Sequence, residues 1–185
     1  MLAGFSPSAS PVKIVLVRHA EPSVVPGTDP AAWALSPAGR RAAERLRHRL
    51  PSETGIWVAS QELKAYQTLQ CLAVGAERSI LRDERLDEVR RDEPFDDDFR
   101  SRRQAWVEDR LDARHDGWEA PRAAATRFDE AIRDHAGPGA PPVVGSHGMV
   151  ITAWLVHRGR VRPGREAGRF WTGLELPVLV ELDLG

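Results

Sequence analysis

The chain of 185 residues has a single cysteine, Cys71. One thiol excludes an intramolecular disulfide and a cysteine-rich metal site. Cys71 sits in an apolar stretch, 69–74, and reads as a small core residue. An excess of charge of either sign is missing too. Lys and Arg number 26 and Asp and Glu 27, for a formal net charge of -1. Such a balance gives no general attraction to nucleic acid or to an anionic membrane. Any anion that binds must be held by a local cluster. Long hydrophobic runs are absent, and none reaches the ~18 residues of a membrane span. The start, Met1-Leu2-Ala3-Gly4-Phe5, lacks a basic segment followed by a long apolar one, so no signal peptide and a cytoplasmic location are expected. What remains is ordinary globular composition, 42% hydrophobic and 29% charged, in a length that fits one domain with a real core.

Short apolar runs alternate with helical patterns. Strands are expected at 13–17, 55–59, 79–81, 142–146 and, as a weakly alternating edge, 176–184. Helices are expected after Ser36-Pro37, where a serine N-cap precedes proline at the first helical position, and at 61–74, 121–135 and 149–156. Residues 1–11 read as a loose tail. From 82 to 121 charges crowd together, and Phe95, Phe99, Trp106, Val107 and Leu111 leave only a narrow apolar stripe. This segment reads as an inserted, partly helical cap rather than a core element. No internal repeat is visible. The alternation predicts a single-domain three-layer α/β/α sandwich with a mostly parallel sheet.

Two of the apolar runs stop abruptly at a histidine. Val15-Leu16-Val17-Arg18-His19-Ala20-Glu21 is one, and Val143-Val144-Gly145-Ser146-His147-Gly148 is the other. Ligands of open α/β sheets bind beyond the carboxyl ends of the strands. A neutral imidazole is a good nucleophile toward phosphorus and needs no metal. The planar fork of Arg18 suits a phosphate dianion. Gly148 lets a ligand approach the backbone, where amides at a helix start favour phosphate oxygens. His147 is placed to stabilise charge during transfer.

These motifs resemble the histidine phosphatase superfamily, the phosphoglycerate mutase-like fold. Arg18-His19-Ala20 is similar to the family's Arg-His-Gly, with alanine in place of glycine. Ser60-Gln61-Glu62-Leu63-Lys64-Ala65-Tyr66-Gln67-Thr68 is similar to its Ser-x-Leu-x-Arg-Ala-x-x-Thr, and Lys64 stands where the family has its second phosphate-binding arginine. Lysine keeps the charge and loses the bidentate geometry, and Lys64 is either a pocket residue, the reading preferred, or an ordinary surface residue of the second helix. Leu35-Ser36-Pro37-Ala38-Gly39 resembles the Leu-Thr-x-x-Gly helix start, and Leu86-Asp87-Glu88-Val89 the Leu-x-Glu segment. Gly117-Trp118-Glu119 with Arg127 is similar to Gly-Glu-Ser…Arg, where a structural role is expected. The Gly-x-Trp-Glu-Gly that often follows Leu-x-Glu is missing, and Arg90-Arg91-Asp92-Glu93-Pro94 stands there.

The resemblance implies a cofactor-independent phosphatase. His19 would be the phosphorylated residue. Arg18, Lys64, His147 and Gly148 would hold the phosphate, and Glu88 would protonate the leaving oxygen. Such a donor must itself be protonated, which desolvation or a neighbouring anion favours. The implied partner is a phosphorylated small molecule, with no nucleic acid, membrane or metal. Two alternatives stand beside this reading: a phosphoglycerate mutase, and a non-catalytic phospholigand-binding domain derived from the enzyme. Arg90, Arg91, Arg100, Arg102 and Arg103 either meet a second anionic group on the substrate or pair with nearby acids; pairing is the reading preferred. His48, His115, His135 and His157 lack ligand spacing and read as surface or helix-end residues. Nothing in the sequence gives substrate identity or oligomeric state.

Overall fold

The computed structural model describes residues 12–75, 78–94 and 96–184. The loose tail expected at 1–11 lies outside the described residues, as does Phe95 of the expected cap stripe. The core of the fold is a five-stranded sheet of order β3-β2-β4-β1-β5, with β1 Lys13–Arg18, β2 Trp57–Ala59, β3 Ile80–Arg82, β4 Val143–Ser146 and β5 Val178–Asp183. The first four strands run parallel, and β5 joins β1 antiparallel at the edge. Parallel strands are covered on both faces, which is why these runs are continuously apolar.

Side chains alternate between two cores, as the two-residue period of a strand requires. Ile14 and Leu16 of β1, Val58 of β2 and Val144 of β4 point into one core. Val15 and Val17, Trp57 and Ala59, and Val143 point into the other. Helix α2 (Leu63–Ala73) covers the second core with Leu69 and Leu72, and α1 (Pro37–Arg45) packs beside it. On the opposite face lie α3 (Phe99–Val107), α4 (Pro121–His135), α5 (Gly148–His157) and α6 (Arg165–Gly173). The three layers are those expected from the strand-helix alternation.

Local chemistry sets several boundaries. The Ser36 Oγ accepts the Gly39 amide at 2.9 Å, and Pro37 occupies the first turn of α1. Gly39 is needed for closeness: a Cβ there would lie 2.2 Å from the Glu21 carbonyl oxygen. The loop after β1 therefore crosses directly over the start of α1.

Two findings depart from the sequence reading. Helix α6 occupies a stretch where no element was expected. The segment 82–121 also reaches the core: Trp106 is fully buried, and Val107 joins it among Phe128, Met149 and Trp154. The Trp106 indole N–H donates to the Glu119 carbonyl at 2.7 Å, so the ring is buried with its one polar group satisfied.

Candidate active site

Strand register brings the two histidines together. Arg18 on β1 pairs with Ser146 on β4, so the next residue of each strand emerges at the same edge. The His19 amide donates to the Ser146 carbonyl at 2.9 Å. The two imidazole rings lie 5.1 Å apart, centroid to centroid, at 57°. Both are buried, His19 at 8% exposure and His147 at 0%.

His19 Nδ1 lies 2.8 Å from the carbonyl oxygen of Ala20. A carbonyl only accepts, so Nδ1 carries the ring proton and Nε2 keeps its lone pair. Burial, first, and then the neighbouring His147 and Lys64, hold the His19 pKa well below the ordinary histidine value. The ring is neutral at physiological pH. Ala20, in the place of the family's glycine, has no positive φ. Its methyl packs into a small core with Leu35, Ala43 and Cys71, and its amide donates to Thr68 Oγ1 at 2.9 Å. Alanine therefore fits here without strain.

His147 ends a relay. The Ser60 hydroxyl donates to Asp87 Oδ1 at 2.7 Å, and its oxygen lies 2.8 Å from His147 Nε2. With the serine proton committed to the carboxylate, Nε2 is the donor. Nδ1 of His147 is then a buried lone pair with no protein partner. Burial also keeps His147 neutral, ahead of repulsion from Lys64. The Arg18 guanidinium donates through Nη1 to the Leu174 carbonyl, while its Nε is buried without a partner. A Cβ on Gly148 would lie 3.0 Å from that Nε. The missing side chain is what lets Arg18 lie against the start of α5. Unpaired buried polar atoms cost free energy, and Arg18 Nε and His147 Nδ1 are two of the four such side-chain atoms among the described residues.

Lys64 is buried at 6% exposure. It is not a surface residue on the second helix. Its Nζ donates to the Pro30 carbonyl at 2.9 Å and forms an ion pair with Glu62. Glu62 escaped the sequence reading. Set letter against letter, the motif departs at two positions, with Glu62 where the family has leucine and Lys64 where it has arginine. The signal was the joint appearance of opposite charges two residues apart. Glu62 Oε1 also accepts the Glu88 amide at 2.8 Å and lies 3.6 Å from His147 Nε2.

Glu88 stands at the start of α5. Its carboxylate accepts the Val89 and Val150 amides, each at 3.1 Å, and the Met149 amide at 3.4 Å. Burial pushes its pKa up, but His147, Arg91 and the amide bonds outweigh this, and the net direction is down. With this balance Glu88 is a carboxylate rather than the protonated acid that a proton donor must be.

The cap arginines mostly pair with acids. Arg91 and Arg103 share Glu93 at 3.0 and 2.7 Å, and Arg102 meets Asp96 at 2.9 Å. The Arg91 guanidinium also lies over the Trp118 ring, 5.6 Å from its centroid. Glu119 and Arg127 form a two-pronged ion pair at 2.7 and 2.8 Å. Of the remaining histidines, His48 and His157 are exposed, and His135 pairs with Asp83 at 2.8 Å. His115 is a correction: it is buried at 6% exposure, with Nε2 3.0 Å from the Arg102 carbonyl. Among the described residues no three His, Cys, Asp or Glu side chains gather as a metal would require.

The buried histidines carry a stability prediction. Their folded pKa values lie below the unfolded value of about 6.5, so the unfolded chain binds more protons as pH falls. Their contribution is complete above about pH 7 and is lost on acidification, at about 1 kcal/mol per pH unit for each ring between about pH 6.5 and 5. Urea melts at about pH 7 and 5 should show the fall. Equal stability at both would contradict neutral buried rings.

A family profile described as histidine phosphatase superfamily (branch 1) matches residues 14–167. Among solved structures, a mycobacterial glucosyl-3-phosphoglycerate phosphatase in complex with VO3 is similar at 21% identity, with TM-score 0.70, covering 93% of this chain and 92% of that one. A phosphohistidine phosphatase SixA from Agrobacterium tumefaciens, described as putative, is similar at 15% identity, with TM-score 0.60 and coverage of 94% and 91%. A search of curated proteins found no match. With its two strand-end histidines inside the matched span, the chain belongs to branch 1 of the histidine phosphatase superfamily.

Proposed function

We propose that this protein hydrolyses a small phosphate monoester through a phosphohistidine on His19, without a metal. The observation that carries the reading is the His19 ring itself. It is neutral and buried, its Nδ1 proton is fixed on the Ala20 carbonyl, and its Nε2 lone pair is left for phosphorus. The similar phosphatases, one of them described with VO3, add support.

In this mechanism the phosphate enters toward Arg18 Nε and Gly148, beside the His147 ring. His19 Nε2 forms the N–P bond as the ester P–O bond breaks. The leaving oxygen takes a proton from Glu88. That residue gains its proton as the substrate arrives, because the added negative charge raises a buried carboxyl's pKa. Water then attacks phosphorus and returns a proton to Glu88, the N–P bond breaks, and inorganic phosphate leaves.

The test is phosphate release from p-nitrophenyl phosphate and from a panel of phosphorylated metabolites, with isomerised products measured in parallel. Release is expected to survive EDTA treatment unchanged. Loss with EDTA and recovery with a divalent ion would overturn the metal-free reading. Isomerisation without net release would favour the mutase alternative. The tether of Lys64 to Glu62 and Pro30 is the observation that favours a non-catalytic phospholigand-binding domain. Phosphate binding without any turnover would establish it.

A further inference from the structure

We propose that Glu62 makes this pocket take up phosphate together with a proton, so that the bound group is in effect a monoanion hydrogen-bonded to the Glu62 carboxylate. The inference rests on the phosphate-pocket reading above and adds the charge state of the ligand.

The Glu62 carboxylate lies among the groups that face the phosphate. One oxygen is paired with Lys64, and the other is 3.6 Å from His147 Nε2 and accepts the Glu88 amide at 2.8 Å. Its side chain is 12% exposed. The residue cannot easily withdraw, because it also starts α2: its carbonyl accepts the Ala65 and Tyr66 amides at 3.1 and 3.3 Å. A phosphate that reaches both Lys64 Nζ and the His147 ring therefore comes to rest beside a carboxylate.

Four charged side chains nearest to it cancel. Lys64 on α2 and Arg18 at the end of β1 supply two positive charges, and Glu62 and Glu88 supply two negative ones. Asp87 faces Glu62 as a third carboxylate, and Arg91 and Arg127 act on His147 from the cap and from α4. His19 and His147 are neutral. Glu62 thus cancels the one lysine offered in place of the family's arginine. A dianion placed here meets a buried like charge, which is strongly unfavourable at low dielectric. A phosphate P–OH turns that contact into a charge-assisted hydrogen bond. The proton belongs to the pair of acids, whichever of them is counted as holding it. Phosphate monoesters ionise a second time at a pKa of about 6, so the requirement lies within the physiological range. It also sets a substrate class: monoesters can bring the proton on phosphate, and diesters cannot.

Isothermal titration of the full chain with inorganic phosphate at about pH 8, in two buffers of different ionisation enthalpy, tests this. Glu62→Gln keeps the size and the acceptor for the Glu88 amide. It is expected to take up about one proton fewer per phosphate than wild type, and to bind at least ~10-fold tighter at that pH, a decade being about 1.4 kcal/mol. Equal proton uptake would place the proton on Glu88 or on the histidines and overturn the proposal. Weaker binding by the variant would overturn it as well, because it would mean that Glu62 helps to hold a dianion. If Glu62→Gln fails to fold, the 31P resonance of phosphate bound to wild type decides: a monoanion position at about pH 8 supports the proposal, and a dianion position defeats it. A wild type that binds no phosphate at either pH 6 or pH 8 also overturns it. The hydrolase reading fails separately, if phosphate binds with the expected proton count but no monoester is turned over.

Discussion

His19→Ala is expected to lower kcat by about 10³-fold or more, the scale on which removal of a covalent nucleophile acts. The variant should also lose the acid-labile, alkali-stable phosphoenzyme that rapid quench is expected to trap in wild type. Both expectations follow from one geometric fact. The Nδ1 proton is occupied by the Ala20 carbonyl at 2.8 Å, so Nε2 is the only ring atom left to attack. The neighbouring ring also keeps a lone pair, on Nδ1, while its Nε2 is engaged by Ser60, so the two variants are what separate the rings. His147→Ala should therefore still form some phosphoenzyme, more slowly, while His19→Ala forms none. Thermal melts of both variants separate loss of chemistry from loss of fold. A folded His19→Ala with near wild-type turnover removes His19 from the mechanism.

The histidine edge was legible in the sequence because its signal is local. An apolar run that ends at a polar residue marks the carboxyl end of a buried strand wherever it occurs. The pairing of Arg18 with Ser146 was not legible, because register is decided between segments more than a hundred residues apart. Helix α6 was missed for a different reason. Arg165–Gly173 contains two glycines, has weak helix propensity and opens after Gly164. Packing forms it: Ala167 is buried against the core, and Phe170 and Trp171 cover the core beside it. Its role in the site is indirect, since it delivers the Leu174 carbonyl that holds Arg18.

The cap was read as peripheral because its apolar residues are few. Composition does not show that one large side chain can connect a polar segment to the core, as Trp106 does. The Glu62–Lys64 pair was hidden by the opposite fault. A motif draws attention to its matching letters, and Lys64 alone looks like a conservative change. Only the structure joins it to the second departure, where a partly buried carboxylate has been added beside the candidate site.

Arg127→Met is expected to cost about 3–5 kcal/mol of stability at pH 7, the scale for breaking a buried ion pair from one side. Arg127 projects from α4 and makes five hydrogen bonds. Two go to the Glu119 carboxylate at 2.7 and 2.8 Å. The others go to the carbonyls of Arg85, Asp87 and Glu88 at 2.8, 2.9 and 3.1 Å. Both partners of the ion pair are 10% exposed, so this is not a surface contact worth a few tenths of a kcal/mol. Methionine would fill part of the volume, but it would leave Glu119 buried without its partner and three carbonyls unpaired. Those carbonyls belong to the loop that carries Asp87 and Glu88, so turnover should fall even below the unfolding transition. Glu119→Gln should cost less, since the guanidinium keeps its three carbonyls. The pH dependence gives an independent check. Hydrogen bonds from Arg127 hold the Glu119 carboxyl below the usual carboxylate range against the opposing effect of burial. A depressed folded pKa contributes stability above the unfolded value, about 4.3, and loses it as pH falls through the folded one. The gap between wild type and Arg127→Met, measured by urea melts, should therefore narrow from pH 7 to about pH 3. A penalty below about 1 kcal/mol at pH 7 would place this pair with ordinary surface salt bridges and remove Arg127 as the clamp on the Glu88 loop.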